Sequence, residues 1–127
     1  MSAQVRLVIG LVGAVIMLLS SVPHSMMGWP AQRQVLLQAQ VPASTILGLS
    51  VGWHFGGVAI AVFGFIAAVS FLQVLRGHAP HMRATTVIGM AYTGFGIWAW
   101  LVTREAYALS FVVPGLLVLA GAVGHRR

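Results

Sequence analysis

A chain of 127 residues with 59% hydrophobic and only 6% charged residues has too little polar surface to cover a water-soluble fold. The formal charge of +6 comes from seven arginines and a single acid, Glu105, and the arginines stand singly between apolar runs. Such scatter provides no basic face for nucleic acid, and the absence of cysteine excludes disulfides, thiolate nucleophiles and thiolate metal ligands.

A membrane span takes about 20 mostly apolar residues to cross a hydrocarbon layer of roughly 30 Å. The first candidate covers 7–27, behind Arg6, and ends where Pro23, Gly28 and Pro30 crowd together. The following "SSVPHSMMGWP" contains no A-x-A cleavage pattern, so this run reads as a retained anchor and not a signal peptide. The glutamine-rich "GWPAQRQVLLQAQVPAS" is then expected to be the longest connection, with "VLLQ" forming one interfacial turn. A second span is predicted over 45–75, with Ser44 or Thr45 as its N-cap. Its length exceeds what a bilayer requires, so it must tilt or protrude. The third is predicted over 85–102 and the fourth over 107–123, the latter kinked at Pro114. The expected fold is all-α, one four-helix integral membrane bundle over 1–127.

Arg6, Arg76, Arg83, Arg126 and Arg127 fall on one side of these spans, and Arg33 and Arg104 on the other. By the positive-inside rule both termini face the cytoplasm. Trp29, Trp53, Trp98, Trp100 and Tyr107 then gather at the outer interface as an aromatic belt.

Gly48, Gly52 and Gly56 recur every four residues and form a small-residue ridge suited to close helix packing. The ridge serves either the chain's own bundle or a second subunit.

His24 and His54 are predicted to reach similar depth under the tryptophan belt, flanked by Trp29 and Trp53, with Arg33 and Glu105 in the loops above. Ionisable residues in spans are costly and mark function more often than they do in soluble cores. The pair fits several uses: axial ligation of haem iron, a chlorin magnesium, a metal ion, a quinone headgroup, or a proton passed toward Glu105. Alternatively each ring reaches the interface and bonds a backbone carbonyl or water, with no cofactor. His78 and His81, in "RGHAPHMR", suit solvent or phospholipid headgroups and have no carboxylate beside them to make a metal site. One acid cannot supply paired-carboxylate chemistry, and no serine lies near a base with an orienting carboxylate, so no catalytic set is assigned.

Two segments, "HSMMGWP" (His24 to Pro30) and "VGWHFGG" (Val51 to Gly57), resemble the motifs of a group of small, uncharacterised four-span bacterial inner-membrane proteins. Their first helix ends in His-x-x-x-Gly-Trp-Pro and their second opens on Gly-Trp-His-Phe-Gly-Gly. The resemblance implies an integral four-helix protein in which His24 and His54 form one constellation.

Three functions are therefore expected in order. The first is a structural or accessory subunit of a larger membrane complex of respiratory or photosynthetic type, partnered by lipid and by other subunits or a second copy. The second is a small protein that binds haem, chlorin or quinone through His24 and His54. The third, a proton-coupled carrier, would have to use the few polar groups in the spans: Ser20, Ser21, Ser70, Thr93 and Ser110.

Overall fold

A computed structural model describes Ser2–Val123. His125, Arg126 and Arg127 lie outside the described residues. The fold is all-helical. Helix α1 (Ala3–Pro23) passes through one π-helical turn (His24–Gly28) directly into α2 (Trp29–Gln38). Helix α3 (Ala43–Leu75) follows, then α4 (Arg83–Thr103), and a 3-10 turn (Ala106–Ala108) leads into α5 (Leu109–Ala122). The three rods Ala3–Gln38, Ala43–Leu75 and Arg83–Thr103 are long and apolar enough to cross a membrane, and the fourth, Ala106–Ala122, is shorter.

The first expected boundary moves. Crowded prolines do not end the first helix near Met27. Pro23 lacks an N–H and the ladder widens into the π turn immediately after it, while Pro30 falls in the first turn of α2, where a missing donor costs nothing. What reads as a long connection is mostly helix, and the chain leaves helical structure only over Ala39–Pro42. Gln40, at φ 55, closes α2 with hydrogen bonds from Gln40 N to Leu37 O and Val41 N to Leu36 O. Gly77, at φ 84, ends α3 in the same paired pattern, with bonds to Val74 O and from His78 N to Gln73 O. Neither Ser44 nor Thr45 caps α3. Pro42 occupies the cap position with no side-chain bond. α5 continues through Pro114, whose carbonyl faces Gly13 of α1.

α1 packs on α3 and on α5, and α5 packs on α4, which leaves α3 and α4 only sparsely in contact. Small residues determine these contacts. A Cβ on Gly64 would sit 2.5 Å from the backbone nitrogen of Leu18, one on Gly115 would sit 2.7 Å from that of Thr93, and Gly121 lies against Gly10. The fully buried Phe71 ring lies over Gly10 and Gly121, joining α3 to α1 and α5.

The ridge Gly48–Gly52–Gly56 is not a packing seam within the chain. Gly48 and Gly52 have nothing within 4 Å, and Gly56 meets only the His24 imidazole. The reason is helical drift: a step of four residues rotates about 40° per repeat, whereas seven residues return to within about 20° of the start. Gly57, Gly64 and Phe71 keep the seven-residue step and hold the seam with α1, while Gly48 and Gly52 rotate away from it.

Most of the remaining surface is apolar and uncovered, with Phe55 72%, Phe65 61% and Trp98 58% exposed. So extensive an exposed apolar surface is suited to lipid and not to water.

Gly64→Leu is expected to prevent recovery of folded protein, because the side chain would collide with the α1 backbone, while Gly48→Leu leaves helicity and thermal midpoint unchanged. Circular dichroism melts of the two purified variants distinguish the outcomes. A well-folded Gly64→Leu variant would refute the seam.

Candidate functional site

The two motifs are the two halves of one joint between the π turn and α3. The imidazole of His24 stacks on the Trp53 indole, with ring centroids 4.8 Å apart and planes 12° from parallel. Trp53 Nε1–H donates to the carbonyl of His24 at 2.8 Å, and His24 Nε2 lies 3.3 Å from the carbonyl of Trp53. A carbonyl can only accept, so Nε2–H is the donor in this contact. Each residue therefore holds the other's backbone and stacks on its ring.

The glycines of both motifs make room for this exchange. A Cβ on Gly28 would lie 2.9 Å from Trp53 Cζ2, so the indole fits only because that position is bare. Gly57 receives the Ser25 hydroxyl, and Gly56 approaches His24 Nε2. Trp29, buried where α2 begins, tilts against Trp53 at 6.1 Å and meets the edge of His54 at 6.0 Å.

All four candidate residues thus belong to one aromatic run, His24–Trp53–Trp29–His54. The two imidazoles join through the tryptophans and not directly. His24 is half-buried and its Nε2 is engaged. His54 is exposed, and neither of its ring nitrogens is hydrogen-bonded to protein among the described residues. Beyond the joint, an open groove of about 620 Å³ runs along α2 between Trp29, Pro30, Arg33, Gln34, Leu37 and Gln38. Glu105 is exposed, and its backbone N–H donates to Thr103 Oγ1 at 3.2 Å.

Five hydroxyls within the spans are committed locally. Ser20, Ser21, Ser70, Thr93 and Ser110 each donate to a carbonyl three or four residues earlier in their own helix. Such back-bonding satisfies each of the five without a partner helix, whereas the hydroxyls of Thr85 and Tyr92 are buried with no hydrogen-bond partner among the described residues.

No protein-family model, curated protein or solved structure matches the chain.

Ser25 is the member of the joint that motif inspection passes over. Its signal lies in the second of the paired glycines at 56 and 57, since only Gly57 falls on the seam and has to receive a side chain from the first helix.

Trp53→Phe retains a ring but loses the indole N–H that donates to the His24 carbonyl, at a cost of about 1 kcal/mol. Combined with His24→Ala, the loss should be clearly less than additive, with a coupling of about 1 kcal/mol in a double-mutant cycle of unfolding free energies. Additive losses would show that the two residues do not support each other.

Proposed function

We propose that this chain is an accessory subunit of a larger membrane complex in the bacterial inner membrane, of respiratory or photosynthetic type, with both termini in the cytoplasm. One observation carries the reading. Gly48 and Gly52 form a close-packing surface with nothing within 4 Å, between exposed Leu47, Val51 and Phe55 on the longest single α-helix of the fold. Within its own bundle the chain places glycine at several close backbone approaches, Gly64, Gly115 and Gly121 among them, so a bare ridge of the same kind suits a helix supplied by another subunit. The motif resemblance supports the bacterial inner membrane, and the arginine distribution supports the orientation.

The local bonding of the five span hydroxyls speaks against the proton-coupled carrier. The cofactor reading keeps one supporting observation, the exposed imidazole of His54 beside Trp29, which has room to bind a haem, chlorin or quinone from its open side.

Gly52→Leu tests the accessory role. The variant should fold as a monomer with an unchanged thermal midpoint, yet lose the partner that the parent protein retains through gentle detergent extraction, as read by native mass measurement. A retained partner would remove the ridge from the interface. An absorption spectrum of the parent preparation tests the cofactor reading, because a bound haem or chlorin would give visible bands that His54→Ala abolishes. For orientation, a cysteine replacing Ala79 should react with a membrane-impermeant thiol reagent only after cytoplasmic access is opened; labelling of intact spheroplasts would invert the topology.

A further inference from the structure

We infer that the arginine-bearing end of the bundle is a binding site for the phosphate of an anionic phospholipid, formed by Arg6, Arg76, Arg83 and the first turn of α4. This rests on the membrane-spanning part of the proposed function but not on the accessory role.

The packing register brings the three arginines to one level. Gly10, Phe71 and Gly121 meet in a single layer. At 1.5 Å per residue, Arg6 lies about 6 Å beyond that layer along α1, and Arg76 about 7.5 Å beyond it along α3. Gly89 of α4 faces Leu119, which fixes α4 against α5 and places Arg83 about 6 Å beyond the same layer. Leu7 and Met82, the chain neighbours of Arg6 and Arg83, are buried in one cluster with Phe71, so the guanidinium stems start from the rim of a shared core. α1 and α3 pack together at roughly 8–10 Å, and the short loop from Arg76 keeps Arg83 near the end of α3, a separation these long side chains can close around one anion.

Four independent features of this end call for an anion. Its described arginines have no acid to neutralise them, since Glu105 lies at the far end beside Arg104. The Nε of Arg6 is buried without a hydrogen-bond partner among the described residues. Thr85, fully buried in the first turn of α4, has an unpartnered Oγ1 in the interval between that layer and the arginines. Finally, Met82 occupies the N-cap of α4 with no side-chain cap bond, so the leading N–H groups and the positive pole of a 21-residue helix face the same end. A phosphate supplies charge to the guanidinium groups and acceptors to the helix start. His78 and His81, exposed in the loop between Arg76 and Arg83, add donors at its edge. The acyl chains of such a lipid would lie along the exposed apolar surface of α3 and α4.

The test is a thermal melt of the detergent-purified chain with phosphatidylglycerol, with phosphatidylcholine, and with inorganic phosphate at the same concentration. Phosphatidylglycerol should raise the midpoint by about 4 °C or more, with the other two leaving it unchanged. The triple variant Arg6→Gln, Arg76→Gln, Arg83→Gln should bind phosphatidylglycerol at least about tenfold more weakly in a titration. If it does not fold, the pair Arg76→Gln and Arg83→Gln, both at exposed positions, serves in its place. Arg33→Gln, at the opposite end, should keep the full response. Equal stabilisation by phosphatidylcholine would overturn the site, as would a response in the variant equal to that of the parent. Stabilisation by inorganic phosphate alone would make it a free-anion site and overturn the lipid assignment. Alkaline carbonate extraction tests membrane insertion separately: release from membranes defeats that reading, whereas retention without a phosphatidylglycerol response defeats only the lipid site.

Discussion

The fold depends on the absence of side chains at a few positions. Between helices in lipid there is no hydrophobic reward for association, because acyl chains are as apolar as leucine, so packing contacts must carry the assembly. Those contacts fall off steeply with separation. Phe71 illustrates the consequence: one ring touches Gly10 of α1 and Gly121 of α5, and a methyl group on either glycine would displace it. The other close approaches, Gly64 on Leu18, Gly115 on Thr93 and Gly89 on Leu119, repeat the arrangement down the bundle. Since α3 and α4 scarcely touch, α1 and α5 are the elements through which the outer two helices are connected.

A bundle held this way requires no polar groups between its helices, and it uses few. Five span hydroxyls turn back onto their own helices, and among the described residues the side-chain hydrogen bonds between helical segments are those of the joint between His24 and Trp53. That joint stands where α1 loses its regular ladder. Pro23 removes a donor and the π turn resets the helical phase, so α2 continues in a direction that α1 alone would not give. Stacking His24 on Trp53 ties the altered segment back to α3 just where it would otherwise splay. The imidazole in the apolar segment thus has a structural use that requires no ligand.

Composition and run length made the helical class and the number of rods legible in the sequence, since apolar runs of this length leave few alternatives. The four aromatic candidates could also be grouped, because His24 and Trp29 flank one end of the first rod while Trp53 and His54 fall at a matching distance along the second. The glycine ridge could not be placed. Spacing by four residues and spacing by seven both satisfy a small-residue pattern, and only the partner helix decides between them. Gly57 and Gly64 kept phase with α1, and Gly48 and Gly52 did not. The helix end was misread for a related reason. Proline signals a break only when it falls in an interior, and Pro30 falls at a start, where its missing donor would have been unpaired in any case.

The length mismatch among the rods separates the two ends of the molecule. Counted from the layer at Phe71, α4 runs out at Thr103, level with the segment around His24 and Trp53, while α2 and the first turns of α3 continue beyond it. At one end, Arg6, Arg76 and Arg83 stand at the ends of α1, α3 and α4. At the other, a two-helix extension stands free above the aromatic joint, with glutamines and Arg33 on α2 and the bare glycines on α3. On the proposed membrane placement, a headgroup layer would supply anions to the first end. Lipid cannot satisfy the second equally well: a polar helix and an apolar helix leave the bundle together, and whatever covers the apolar one has to stand as far from the bundle's midplane as Gly48 does. On the proposed accessory role a neighbouring subunit would meet that condition, because a protein surface can extend past the hydrocarbon layer where acyl chains stop.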